Sequence, residues 1–90
     1  MVENIKKMMG FNNNEFDSII DMYIKSAKSD LRQVGIAWTK VKENDPLIYT
    51  AITSYVLSHL DVSNAELYSN AYLLQKDELR HLSDYLERGN

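Results

Sequence analysis

The feature that most limits the fold is the spacing of apolar residues between positions 16 and 34. Apolar side chains recur there every three or four residues, which is the period of one buried helix face. They are Phe16, Ile19, Ile20, Tyr23, Ile24, Ala27, Leu31 and Val34. No segment alternates apolar and polar residues with period two, and no Asn-Gly or Asp-Gly hairpin turn occurs. The sequence therefore predicts an all-α fold.

Glycine and proline are scarce, and their positions predict where helices end and begin. Gly10 and Gly35 each follow an apolar-periodic run, as glycines at helix C-termini do. Pro46 directly follows Asp45, the order of a first helical residue after its capping residue. Together these signals predict a small four-helix domain, with helices over residues 2–9, 14–34, 46–59 and 64–87.

Polar residues at the predicted starts of the second and fourth helices have the character of N-caps. Asn13 or Asn14 is expected to cap the second helix. Ser63 and Glu66 have the spacing of a capping box, in which each side chain accepts from the other's backbone N–H.

The third and fourth predicted helices differ in pattern and in length. Apolar residues occupy a wide part of the third helix, which predicts a central position covered on more than one side. At 1.5 Å per residue the fourth helix would be roughly 35 Å long and the third roughly 21 Å. Either one end of the fourth helix projects, or the first helix and the connection over residues 36–45 cover it.

The length of the chain and its lack of cysteine exclude several kinds of protein. The 90 residues predict one domain, spanning residues 1–90. Without cysteine there are no disulfides, thiolate metal sites or catalytic thiols. The longest uninterrupted apolar runs have three or four residues, so no membrane-spanning segment is expected.

No motif for catalysis or for metal or cofactor binding is found in the sequence. Glu78 and His81 have the spacing of a metal-ligand pair, but dimetal helical bundles need two such copies and further glutamates. His59, near the end of the third helix, is best interpreted as a favourable partner of the helix dipole. Neither a Gly-x-Ser-x-Gly elbow nor a glycine-rich phosphate loop occurs. We therefore expect no enzyme activity, no cofactor and no small-molecule substrate.

Charge is unevenly distributed along the chain. The net charge is −3, yet residues 25–42 alone carry five basic residues and one acid. Lys25, Lys28 and Arg32 fall on one side of the second helix, which predicts either an ordinary solvated face or a binding surface. Large aromatic residues often anchor interfaces, so we include the segment around Trp38 in the candidate interaction surface. The candidate interaction surface comprises Lys25, Lys28, Arg32, Trp38, Lys40 and Lys42.

The order of several short segments resembles one protein family along nearly the whole chain. The segments are residues 14–20 (NEFDSII), 27–31 (AKSDL), 34–36 (VGI), 44–48 (NDPLI), 64–66 (NAE) and 79–85 (LRHLSDY). Between the last two stand Tyr68, Ser69 and Tyr72. This order resembles the head–tail connector, or adaptor, proteins of tailed phages and prophages.

The resemblance implies a structural subunit that forms a homo-oligomeric ring. Such a ring would lie between the portal protein and a stopper or tail-completion protein, with DNA passing through its lumen without sequence-specific binding. The protein would then be part of the virion connector, assembled in the cytoplasm of the bacterial host. The alternative from the residues alone is a small helical regulator of a mobile element that binds DNA or a protein.

Overall fold

The computed structural model describes residues 1–86, apart from the side chain of Trp38. Within this range lie four α-helices: α1 (Val2–Met9), α2 (Asp17–Gln33), α3 (Pro46–Leu60) and α4 (Ala65–Arg80). Short 3₁₀ turns cover Trp38–Lys40, Val62–Asn64 and Ser83–Tyr85. The described residues contain no strand, only one isolated antiparallel bridge between Ile36 and Leu86. The prediction of a small all-α fold with four helices is confirmed.

Helix α3 is the central element of the fold, because it packs against both α2 and α4. Its sequence explains this position, since apolar residues occur on most of its circumference. The buried core combines residues of every helix with Ile36: Ile5, Ile20, Ile24, Ala27, Leu31, Ile36, Ile48, Ala51, Ile52, Val56, Leu57, Tyr72 and Leu79. The interpretation of the third helix as the central one is therefore confirmed.

Helix α1 has only eight residues and depends on contacts with the rest of the chain. Ile5 is fully buried, and the neighbouring Lys6 is buried with it. The Lys6 ammonium lies 3.0 Å from a carboxylate oxygen of Asp17 and donates to Asn14 Oδ1 at 2.7 Å. The hydrogen bond to Asp17 raises the pKa of Lys6 above its ordinary value, despite the cost of burial. A buried ion pair thus connects α1 to the start of α2.

Helix α2 begins at Asp17, so the predicted start at residue 14 is wrong. Asn13 Oδ1 accepts from the Glu15 N–H at 3.0 Å within the preceding turn, and Asn14 Oδ1 is occupied by Lys6. Neither asparagine therefore caps the helix. At the other end Gly35 has φ 95°, a left-handed conformation that favours glycine, and the helix ends before it as predicted.

Helix α4 ends at Arg80, which corrects the predicted end at residue 87. The chain turns at His81 and folds back, so that the Ala37 N–H donates to the Tyr85 carbonyl at 2.6 Å. The Tyr85 hydroxyl donates to Asp45 Oδ2 at 2.8 Å. Glu87 lies outside the described residues. With 16 residues against 15 in α3, helix α4 does not project, and the folded-back segment contacts the connection before α3.

The start of α4 also differs from its prediction. Val62–Asn64 form a 3₁₀ turn, which makes Asn64 the residue before the helix. The Asn64 side chain donates to Asp61 Oδ2 at 3.1 Å, and no side chain caps α4. The capping box predicted for Ser63 and Glu66 is therefore wrong, because the turn shifts the helix start by one residue.

Replacement of Asp45 by alanine is expected to destabilise the fold by about 1–2 kcal/mol through loss of the α3 cap. Asp45 Oδ1 accepts from the Leu47 and Ile48 N–H groups at 2.9 and 3.2 Å, and Oδ2 accepts from Tyr85. Asp45→Asn keeps a capping oxygen and should lose less. Urea unfolding followed by circular dichroism measures both, with Asn44→Ala as the control. Equal midpoints for Asp45→Ala and the wild type would contradict the assigned role.

Candidate functional site

The structure brings the three predicted cations of α2 together in one groove. Its lining residues, which we call the basic groove, are Lys25, Lys28, Ser29, Arg32 and Val41. The groove has a volume of about 220 Å³, and Val41 closes it from the connection that follows α2. The structure agrees with the prediction that these cations share one side of α2. It also shows that Val41 forms an apolar wall of the groove.

Carboxylates accompany two of the cations in the basic groove. Lys28 Nζ lies 2.8 Å from Glu43 Oε2, and Lys25 Nζ lies 2.9 Å from Asp21 Oδ2. The lysine side chain at position 25 is 75% exposed. Exposed ion pairs of this kind contribute little to stability, so Lys25 can exchange Asp21 for another acid at small cost.

The other predicted surface residues lie on the turn beside the groove rather than in it. Lys40 and Lys42 are both exposed, and the Lys40 ammonium lies 6.0 Å from the centre of the Tyr85 ring. Trp38 begins this turn, but its side chain lies outside the described part of the structure. Of the six predicted residues, Lys25, Lys28 and Arg32 therefore line the groove. Trp38, Lys40 and Lys42 belong to the connection that follows α2 and adjoins the groove.

A second exposed surface lies on α4. Leu67 and Leu74 are seven residues apart, which places them on one side of the helix, and they are 64% and 69% exposed. Asn70 and Glu78 share this side and are also exposed. We call these four residues the α4 leucine face. Leu74 is turned away from the core, which Tyr72 and Leu79 enter instead.

A slot adjoins the α4 leucine face where α4 ends beside the start of α3. It has a volume of about 150 Å³ and is lined by Leu47, Thr50, Gln75, Glu78, Leu79 and Leu82. Gln75 Oε1 is buried, yet it accepts no hydrogen bond from the described residues. A buried acceptor without a donor costs free energy, so this oxygen lowers the stability of the fold at the slot.

Asp30 connects α2 directly to α4. One of its carboxylate oxygens accepts from the Tyr72 hydroxyl at 2.5 Å and from Lys76 Nζ at 3.1 Å. Burial alone would raise the pKa of Asp30, but these two donors outweigh it and lower the pKa. Burial, together with the bond to Asp30, raises the pKa of Tyr72. The contact fixes the distance between the two helices that carry the basic groove and the α4 leucine face.

Within residues 1–86, the two histidines form no metal site with neighbouring acids. His59 lies in the last turn of α3, with ring centres 4.8 Å from those of Tyr23 and Tyr55. His81 Nδ1 is 2.7 Å from the Asp77 carbonyl oxygen, at the end of α4. Among residues 1–86, no group of three or more histidine, aspartate or glutamate side chains is placed to hold a metal ion. Within the same range, no helix is long and apolar enough to cross a membrane.

Comparison with known proteins identifies one family. A family model described as phage connector protein matches residues 1–76 of the chain. No curated protein and no solved structure matches the chain. The matched range includes α1, α2, α3 and most of α4, and therefore the whole basic groove together with Leu67 and Leu74.

The bond between Tyr72 and Asp30 is expected to make stability depend on pH under acidic conditions. Because the folded-state pKa of Asp30 lies below its ordinary value of 3.8, the stabilisation is complete above that pH. It is lost as the pH falls through the lower folded-state pKa. Tyr72→Phe should lower the free energy of unfolding by about 1–2 kcal/mol at pH 7.

Urea unfolding of the wild type and Asp30→Asn between pH 7 and pH 3 measures this contribution. The difference in free energy of unfolding between them should shrink towards pH 3. A difference that stays constant over this range would show that the Asp30 carboxylate does not contribute.

Proposed function

The chain belongs to the phage connector protein family, and on this basis we propose that it is a subunit of the ring between phage head and tail. The family role is structural. In this proposal identical subunits form a closed ring between the portal protein and a stopper or tail-completion protein. The ring is part of the virion and assembles in the cytoplasm of the bacterial host. The observation that carries the proposal is the family match over residues 1–76.

The placement of exposed surfaces supports a ring subunit. The basic groove lies on α2 and the α4 leucine face on α4, so the protein presents two different surfaces on two helices that flank α3. Contacts between two different surfaces run head to tail, and such contacts close into rings when the rotation between subunits permits. Two equal surfaces would instead favour a twofold dimer.

The charge of the chain supports a lumen through which DNA passes without being held. With a net charge of −3, the protein as a whole repels phosphate at neutral pH. Its basic residues are concentrated over residues 25–42, where Asp21 and Glu43 accompany Lys25 and Lys28. Tight binding of nucleic acid normally requires a basic domain. We therefore propose that the six predicted residues Lys25, Lys28, Arg32, Trp38, Lys40 and Lys42 contact protein.

Light scattering after size exclusion tests the proposed function directly. The purified protein is measured alone and after mixing with the portal protein encoded beside it. We expect a closed oligomer, or co-migration with the portal. A chain that remains monomeric and ignores the portal at every salt concentration would overturn the proposal. DNA binding with a steep dependence on salt would then favour the alternative function, a small helical regulator of a mobile element.

Charge reversal on the turn after α2 is expected to weaken assembly. In Lys40→Glu/Lys42→Glu, two exposed cations become acids, and we expect roughly tenfold less complex at a fixed protein concentration. Lys7→Glu reverses an exposed charge on α1 and serves as the matched control. Light scattering gives the amount of complex, and circular dichroism checks folding. Assembly equal to the control would remove Lys40 and Lys42 from the interaction surface.

A further inference from the structure

We propose that the basic groove of one copy receives the α4 leucine face of the next copy. This inference rests on the proposed ring and specifies which two surfaces form the contact between neighbouring subunits. The partner of the groove is thus a second copy of this chain, rather than DNA or another protein of the virion.

The two surfaces are available to neighbours on different sides of one subunit. Helix α2 turns Ile24 and Leu31 towards the core, so Lys25 and Ser29 face outward. Helix α4 turns Tyr72 and Leu79 inward, which leaves Leu67 and Leu74 exposed. Because the two surfaces lie on different helices and share no residue, one copy can contact a neighbour through α2 and another through α4 at the same time.

Charges on the two surfaces are complementary. The part of α4 from Glu66 to Glu78 contains three acids, Glu66, Asp77 and Glu78, all exposed. Its one cation, Lys76, is turned inward to Asp30 and has only 18% of its side chain exposed. The exposed surface of this part of α4 is therefore acidic. It opposes the cations of the groove, and such complementarity fixes the register of an interface.

The apolar parts of the two surfaces also match. Val41 forms an apolar wall of the groove. Met22, which lies one helical turn before Lys25 on α2, is 53% exposed. On the other surface Leu67 and Leu74 stand out from α4. Burying these leucines removes apolar area from water, which is the main favourable contribution to most protein association. A phosphate backbone would leave Val41 and Met22 without an apolar partner, so the groove suits protein better than DNA.

Hydrogen-bonding groups of the two surfaces are complementary in the same sense. Glu78, exposed on the α4 leucine face, offers two acceptor oxygens. The groove supplies donors from the Lys25 ammonium and the Ser29 hydroxyl. An acceptor-rich surface thus faces a donor-rich one, as a specific interface requires.

Two charge-reversed variants test this contact. In the groove variant, Lys25→Glu/Ser29→Glu makes the α2 surface acidic. In the face variant, Asn70→Lys/Glu78→Lys makes the α4 surface basic. All four positions are exposed. Each variant alone brings like charges together, and we expect self-association at least roughly tenfold weaker than that of the wild type.

An equimolar mixture of the two variants should assemble again. In alternating order, the acidic α2 surface of one variant meets the basic α4 surface of the other, and every second contact has the native charges. Light scattering after size exclusion, with portal protein present as a platform, measures assembly of each variant and of the mixture. Only a head-to-tail contact between these two surfaces gives failure apart and recovery together.

Leu74→Asp and Val62→Asp form the matched pair for the apolar part of the contact. Both place a carboxylate on an exposed apolar position, but Val62, 88% exposed, lies on the turn before α4 and outside the proposed contact. We expect Leu74→Asp to weaken assembly at least roughly tenfold and Val62→Asp to leave it unchanged. Circular dichroism of both variants confirms that the helices are retained.

The outcomes separate this inference from the proposed function. If the wild type assembles and the groove, face and Leu74→Asp variants assemble equally well, the contact is wrong while the ring stands. If both charge variants fail and their mixture also fails, the two surfaces do not meet each other, and the contact is again wrong. If the wild type assembles neither alone nor with the portal, the proposed function fails and the contact fails with it.

Discussion

The burial of α3 is the constraint on which the rest of the structure depends. This helix is apolar on most of its circumference, with Ile48, Ile52 and Val56 fully buried, so it cannot have one side in water. Helix α2 and helix α4 each cover one flank of it. The fold therefore follows from the need to enclose one helix. The Asp45 cap, the ion pair of Lys6 and the Asp30 contact hold the enclosing segments in place.

Enclosing one helix with so few residues leaves the enclosing helices uncovered. A chain of 90 residues buries a smaller share of its surface than a larger domain does, and the apolar surface that remains exposed is spread over all four helices. Leu67 and Leu74 on α4 and Met22 on α2 belong to it. No group of three or more histidine, aspartate or glutamate side chains within residues 1–86 is placed to hold a metal ion. The exposed surfaces of α2 and α4 are the parts of the molecule that the proposed contacts use.

Local signals in the sequence predicted the helices well. Contacts between residues far apart in sequence account for the errors at the end of α4 and the start of α2, and a local turn accounts for the error at the start of α4. The three-four spacing of α2, the glycine at position 10 and the order Asp45-Pro46 each act within one turn of helix, so they could be interpreted without the fold. The end of α4 could not be predicted in this way, because no glycine or proline marks it. It depends on Tyr85 reaching Asp45, 40 residues away. Asn14 likewise binds Lys6 instead of capping α2.

The candidate surfaces were only half predictable for a related reason. The excess of cations over residues 25–42 is visible in the sequence, whereas α4 appears there as a mixture of two cations, Lys76 and Arg80, with three acids. Its exposed surface becomes more acidic because Asp30 draws Lys76 inward. Asp30 also accepts a hydrogen bond from the Tyr72 hydroxyl, so the same carboxylate connects α2 to α4. One carboxylate of α2 thus both joins the enclosing helices and withdraws a cation from the acidic surface that is proposed to meet the basic groove of the next copy.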